Sequence, residues 1–234
     1  MSVKGVCRKV GAVGALGALL VVAAACGEPE QLTPQQVIEK AAPAIQGANS
    51  FHFVYEASKP EKPVPGIFIL KVEGDAAKPD KLVADVSGTA GGINVNIKVA
   101  ADGQNQYMTD PISGRWGAMS PVFNITQFFD PAQGVSDILA GVKELESDGT
   151  ETIDGTATYR LKGKVPAEAL KSLSPEVTAT EDLPAVLWIG SGDFLLRQVK
   201  MDGPLLAGEP ADLTRTISLS EFNKEVVVQT PEVK

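Results

Sequence analysis

The chain has 234 residues, 44% hydrophobic and only 6% aromatic, with 29 acidic against 21 basic side chains and a formal net charge of −8. That length suits one domain, or at most two small ones, and supplies enough chain to bury a mainly aliphatic core. The acidic balance repels phosphate backbones, which argues against a nucleic-acid partner, and two cysteines make no disulfide framework.

Lys4, Arg8 and Lys9 precede an uncharged run from Val10 to Ala25, the basic and apolar regions of a secretory signal. The run holds 16 residues, whereas a membrane-crossing helix needs about 20. Glu28 and Glu30 follow it without the basic flank of a stop-transfer segment. Residues 1–25 are therefore expected to be cleaved as a signal peptide. Ala23-Ala24-Ala25 ahead of Cys26 resembles the bacterial lipobox, whose cysteine takes an S-diacylglycerol and then an N-acyl chain. At ~0.8 kcal/mol per buried methylene, two or three such chains anchor a protein permanently. Cys26 is the expected lipidation site, on the extracytoplasmic face of the cell membrane; a plain secreted protein is the rival reading. The signal removes three basic residues and no acidic one, so the mature charge is −11. Cys7 leaves with it, and the exported domain stands without a disulfide. Residues 26–32 form a lipidated tether, whose polar part from Gly27 to Leu32 reaches at most about 20 Å.

The folded domain is expected over residues 33–234. Thr33-Pro34-Gln35-Gln36 has the form of an N-cap, a proline at the first helical position and a capping-box Gln. Val37, Ile38, Ala41, Ala44 and Ile45 then give one apolar face, with Pro43 expected to kink or shorten the helix. From Ser50 the period switches to two. Strands are predicted over 50–58, 67–73, 81–87, 93–99 and 104–109, with a Pro-rich loop over 59–66. Ile93, Val95, Ile97 and Val99 alternate with Asn94, Asn96 and Lys98, the clearest half-buried strand. Asp130 can cap a helix with Pro131 at its first position, and Val135, Ile138, Leu139 and Val142 fall on one stripe. Further strands are predicted over 145–153, 157–164, 186–189, 195–201, 214–222 and 226–229, with a short helix over 166–173. The fold class is α+β, dominated by an antiparallel sheet of about nine to eleven strands with two or three short helices, and a sheet that long tends to curl.

These features, in order, resemble the LppX, LprA, LprF and LprG lipoproteins of mycobacteria and related actinobacteria, which share a fold with the carriers LolA and LolB. The resemblance is carried by the opening helix running into Ser50-Phe51-His52-Phe53, by Arg115-Trp116, and by Phe129-Asp130-Pro131 with its Gly134 helix. Asp154-Gly155, Lys164-Val165-Pro166, Leu183-Pro184 through Leu187-Trp188-Ile189, and a Val-rich stretch before Pro231 continue it. Pro43, the Pro-rich loop and an insert over 202–211 depart from the family pattern. The resemblance implies a half-barrel sheet wrapped over its helices around a hydrophobic pocket for multi-acylated envelope lipids or glycolipids. Moving one ~16-carbon chain through water costs on the order of 13 kcal/mol, so such lipids need an escort. The implied partners are an acylated lipid or glycolipid, the membrane through the anchor, and an envelope transporter or acceptor protein; the chain is expected to be a monomer without a cofactor.

No catalytic signature is present, and the chain is not read as an enzyme. His52, the single histidine, is read as an ordinary sheet position, Gly190-Ser191-Gly192-Asp193 as a turn, and Asn124-Ile125-Thr126 as a sequon in form only. Glu144, Glu146, Asp148 and Glu151 read as a solvated strand edge. Val135, Ile138, Leu139 and Val142, with Ile93, Val95, Ile97 and Val99, are the candidates to line a lipid cavity. Lining and solid core demand the same residue types, so both readings stay open for them. The alternative to carriage is a structural or sensory surface lipoprotein that binds a protein partner.

Overall fold

The computed structural model describes residues 32–64, 67–103, 105–119, 134–173 and 176–229. The described residues belong to one unit, Leu32–Lys234. The signal, Cys26, the tether up to Gln31, the Asn124 sequon and the Asp130-Pro131 cap lie outside them.

Helix α1 (Pro34–Gly47) starts as its sequence predicts. Gln36 N–H donates to Thr33 Oγ1 at 3.3 Å, and Thr33 N–H donates to Gln36 Oε1 at 2.8 Å, which closes a capping box. Val37, Ile38, Ala41 and Ile45 are buried. Pro43 sits inside the helix without ending it, because it lies on the exposed side, where water can take up the carbonyl its ring leaves unbonded.

Eleven strands then build one antiparallel sheet. They are β1 (Ser50–Val64), β2 (Ile67–Ala77), β3 (Lys81–Ala90), β4 (Ile93–Asp102), β5 (Asn105–Thr109), β6 (Trp116–Met119), β7 (Lys143–Ile153), β8 (Thr156–Val165), β9 (Leu183–Gly190), β10 (Leu196–Asp202) and β11 (Thr214–Ser220). Their order is β6-β5-β4-β3-β2-β1-β11-β10-β9-β8-β7. Two meanders, β1 to β6 and β7 to β11, thus share a central seam at β1 and β11, where Phe53 faces Leu219 and Tyr55 faces Ile217. Helix α2 (Val135–Ala140) joins the two meanders, and α3 (Ala167–Leu173) follows β8.

The sheet is strongly curved. Laid flat, eleven strands would span roughly 48 Å, whereas α1 is about 21 Å long. Yet one continuous core joins Val95 of β4, Leu161 of β8, Val37 of α1 and Leu139 of α2. Only a curled sheet brings both wings against the same helices. Glycine makes part of the bend possible: a Cβ on Gly74 would lie 2.1 Å from the Val83 carbonyl oxygen, and one on Gly88 would lie 2.1 Å from that of Phe68.

Two expectations are corrected, and one strand was not predicted. The Pro-rich segment from Lys59 is strand as far as Val64, because two register shifts flanking Glu61 absorb its prolines. β6 is a short edge strand that periodicity over four residues cannot reveal. Residues 226–229 form no strand, since Glu221 and Asn223 adopt left-handed backbone and turn the chain away after β11. Asn223 instead straps the sheet's start: its N–H donates to Ser50 O at 2.9 Å, and its Oδ1 accepts from Asn49 N–H at 2.8 Å.

Candidate functional site

The concave face is aliphatic and lies under α1 and α2. On β4, Val95, Ile97 and Val99 are buried beside Gly88, Val86 and Ala84 of β3, while Asn94, Asn96 and Lys98 are exposed, so the predicted alternation holds. Leu139 and Val142 are buried in the same core, and Val135 and Ile138 pack half-buried against it. Seven of the eight candidate lining residues thus meet in one interior. Ile93 differs: it shares the parity of Val95 but sits at the end of β4, 71% exposed. The stripe of α2 is held by more than apolar contact, since Ser136 Oγ donates to Gln46 Oε1 of α1 at 2.7 Å.

One polar cluster interrupts this face. Arg215 alternates with Ile217 and Leu219 on β11 and therefore points inward, where its side chain is 3% exposed. It pairs with Glu61 and with Glu209, each 7% exposed, and Arg215 Nη1 donates to the Gly203 carbonyl at 2.7 Å. Tyr55 Oη donates to Glu61. Glu209 Oε2 also accepts from Leu205 N–H at 2.8 Å and Leu206 N–H at 2.9 Å, which folds the 202–213 loop onto the sheet. Burial pushes the Glu61 carboxyl above its ordinary range against the pull of Tyr55 and Arg215, and burial likewise raises the Tyr55 phenol. Sequence reading missed this cluster, although Arg215 shares its parity with apolar Leu213 and Ile217 on either side, which was a usable signal.

Two clefts open beside the interior. One, of about 470 Å³, lies between residues 178–184 and the 202–211 loop, with Leu183, Leu205 and Leu206 among its walls. The other, of about 220 Å³, lies between α1 and α2 against Pro43, Gln46 and Ala140. None of the eight candidate lining residues faces either cleft.

The convex face is polar, and three of the four edge acids, Glu144, Asp148 and Glu151, are paired. Asp148 meets Arg160 at 3.0 Å and Lys162 at 2.8 Å, and Lys164 meets Glu144 at 2.7 Å. The Lys162 hydrogen bond holds the Asp148 carboxyl below its usual range. Trp188, 7% exposed, donates from Nε1 to Glu151 at 2.8 Å and carries the Arg160 guanidinium over its ring. Trp188 is thus a packing residue of the outer face. Trp116 is half-buried on β6.

An open antiparallel half-barrel with its helices on the concave side is the architecture of the LprF and LppX lipoproteins. LprF from Mycobacterium bovis superposes with a TM-score of 0.71 at 18% identity, covering 85% of this chain and 96% of its own. LppX from Mycobacterium tuberculosis gives 0.61 at 24% identity, covering 84% and 98%. The profile of the LppX_LprAFG lipoprotein family matches residues 33–228, and the chain belongs to that family. Among its curated relatives, the lipoarabinomannan carrier protein LprG of M. tuberculosis H37Rv is 26% identical over 239 residues, covering 97% of each chain. LprG of Mycolicibacterium smegmatis is 30% identical over 178 residues, covering 72% of this chain and 71% of its own.

Proposed function

We propose that this lipoprotein is a non-catalytic carrier of acylated envelope lipids or glycolipids, tethered through Cys26 and taking acyl chains between α1, α2 and the concave face. The end-to-end match to proteins named lipoarabinomannan carriers carries the reading. The aliphatic character of the interior supports it, because desolvation of a hydrocarbon chain needs only apolar surface. Val95, Ile97, Val99, Val135, Ile138, Leu139 and Val142 are the proposed lining, with Ile93 at the rim. In the closed state these side chains pack on one another, and chain entry replaces their mutual contacts with contacts to lipid.

Handover requires a membrane or an envelope acceptor within reach of the short tether. The lipobox-like Ala23-Ala24-Ala25-Cys26 makes Cys26 the proposed attachment; among the described residues no helix is long and apolar enough to cross a membrane.

The test is native mass spectrometry of protein purified from its host, with copurified lipid expected. Leu139→Trp fills the space under α2 and should reduce lipid loading to a small fraction of wild type. Overpacking there costs about 1–3 kcal/mol, which a domain stable by roughly 5–15 kcal/mol survives. Equal loading in a folded Leu139→Trp variant overturns the assigned lining. Lipid-free protein from the host overturns carriage and leaves the surface-lipoprotein alternative, which the close packing of the candidate residues favours.

A further inference from the structure

The convex side of the central seam holds a second cluster, unrelated to the interior. His52 of β1 stands opposite Asp75 of β2 and opposite Ser220 of β11, the residue before Glu221. Two neighbouring strands and the turn after a third therefore deliver an imidazole and two carboxylates to one spot. Ligating atoms of His52, Asp75 and Glu221 all lie within 4.8 Å of one another. His52 Nδ1 is 2.9 Å from Asp75 Oδ1, and Nε2 is 3.7 Å from Glu73 Oε1, so both ring nitrogens face carboxylates.

We propose that His52, Asp75 and Glu221 form a binding site for a divalent transition cation of the zinc type, with water completing the coordination. An imidazole in the donor set selects such a cation over Ca²⁺ or Mg²⁺, which prefer all-oxygen shells. Zinc bonds of about 2.0–2.2 Å place tetrahedral ligands some 3.3–3.6 Å apart, so the cluster must tighten by up to about 1.5 Å. The half-buried carboxylate of Asp75 and the exposed one of Glu221 can supply that movement, while His52, 24% exposed, is held by the sheet. Local charge favours a dication. Glu73, Asp75 and Glu221 carry three negative charges, and two lysines answer them: Lys71, 2.7 Å from Glu73, and Lys224, 2.7 Å from Glu221. Both ion pairs are on the surface, where each is worth about 1 kcal/mol or less, so an incoming metal displaces Lys224 readily. A site here would pin β2, β1 and the strap after β11 together.

The test uses the tag-free mature chain, titrated with Zn²⁺ by calorimetry with and without excess Ca²⁺. One Zn²⁺ per chain is expected, indifferent to Ca²⁺. His52→Ala and Glu221→Gln should each weaken binding at least roughly tenfold. Glu221→Gln alters only a surface side chain and keeps the test valid if His52→Ala is less stable. Because His52 is the only histidine, its imidazole NMR signals report the site directly and should shift on Zn²⁺ addition. Unshifted signals, unchanged affinity in the variants, or displacement by Ca²⁺ overturn the proposal and leave His52 and Asp75 as a simple hydrogen-bonded pair.

Discussion

Arg215 serves two buried carboxylates with one positive charge, so one negative charge is left over when Glu61, Glu209 and Arg215 are all ionised. Replacing Arg215 with Met strands both acids, and a loss of about 3–5 kcal/mol is expected in urea unfolding. Adding Glu61→Gln and Glu209→Gln to that variant should restore much of the loss, because no buried charge then remains. Glu61 also predicts a pH signature. Its folded pKa is raised, so in the window above the ordinary carboxyl value the folded state holds more protons than the unfolded one, and stability falls as pH rises through that window. Relative to wild type, Glu61→Gln should therefore gain stability from about pH 4 upward, read as the difference between urea midpoints. The opposite slope would mean that Arg215 and Tyr55 outweigh burial.

Local elements are stabilised by features that can each be removed singly. Thr33→Ala removes the Oγ1 acceptor of the α1 capping box, leaving only the backbone N–H to Gln36 half, and should cost about 1 kcal/mol by thermal unfolding. Gly74→Val places a side chain against the Val83 carbonyl and should cost at least about 1–3 kcal/mol, since the sheet must flatten or the strands part. The helix start was legible because Thr33, Pro34 and Gln36 act on their own neighbours. β4 was legible because its polar and apolar residues alternate without exception from Asn94 to Val99. The strand through Pro60 and Pro63 was not, because bulges are paid for by the partner strand, which a local reading does not see. Register was hidden for the same reason. Nothing near His52 in sequence announces Glu221, and only the pairing of β1 with β11 brings them together.

For the whole molecule, Cys26→Ser should release the protein from the membrane fraction into the soluble one while leaving the folded domain unchanged, as read by cell fractionation and circular dichroism. Retention of the variant in membranes would sink the proposed anchorage. The distribution of burial fits a cargo-holding shell: apolar residues concentrate on the concave side, and charged pairs such as Arg160–Asp148 cover the convex one. β6 and β7 end the strand order without pairing to each other. A closed barrel has its girth fixed by strand number and shear. Among the described residues no ladder joins the two margins, so strand pairing alone does not fix the girth. If the protein carries lipid as proposed, the same fold would match its girth to thin or bulky cargo, and a covalent bridge between the two margins would set a ceiling on the size it accepts.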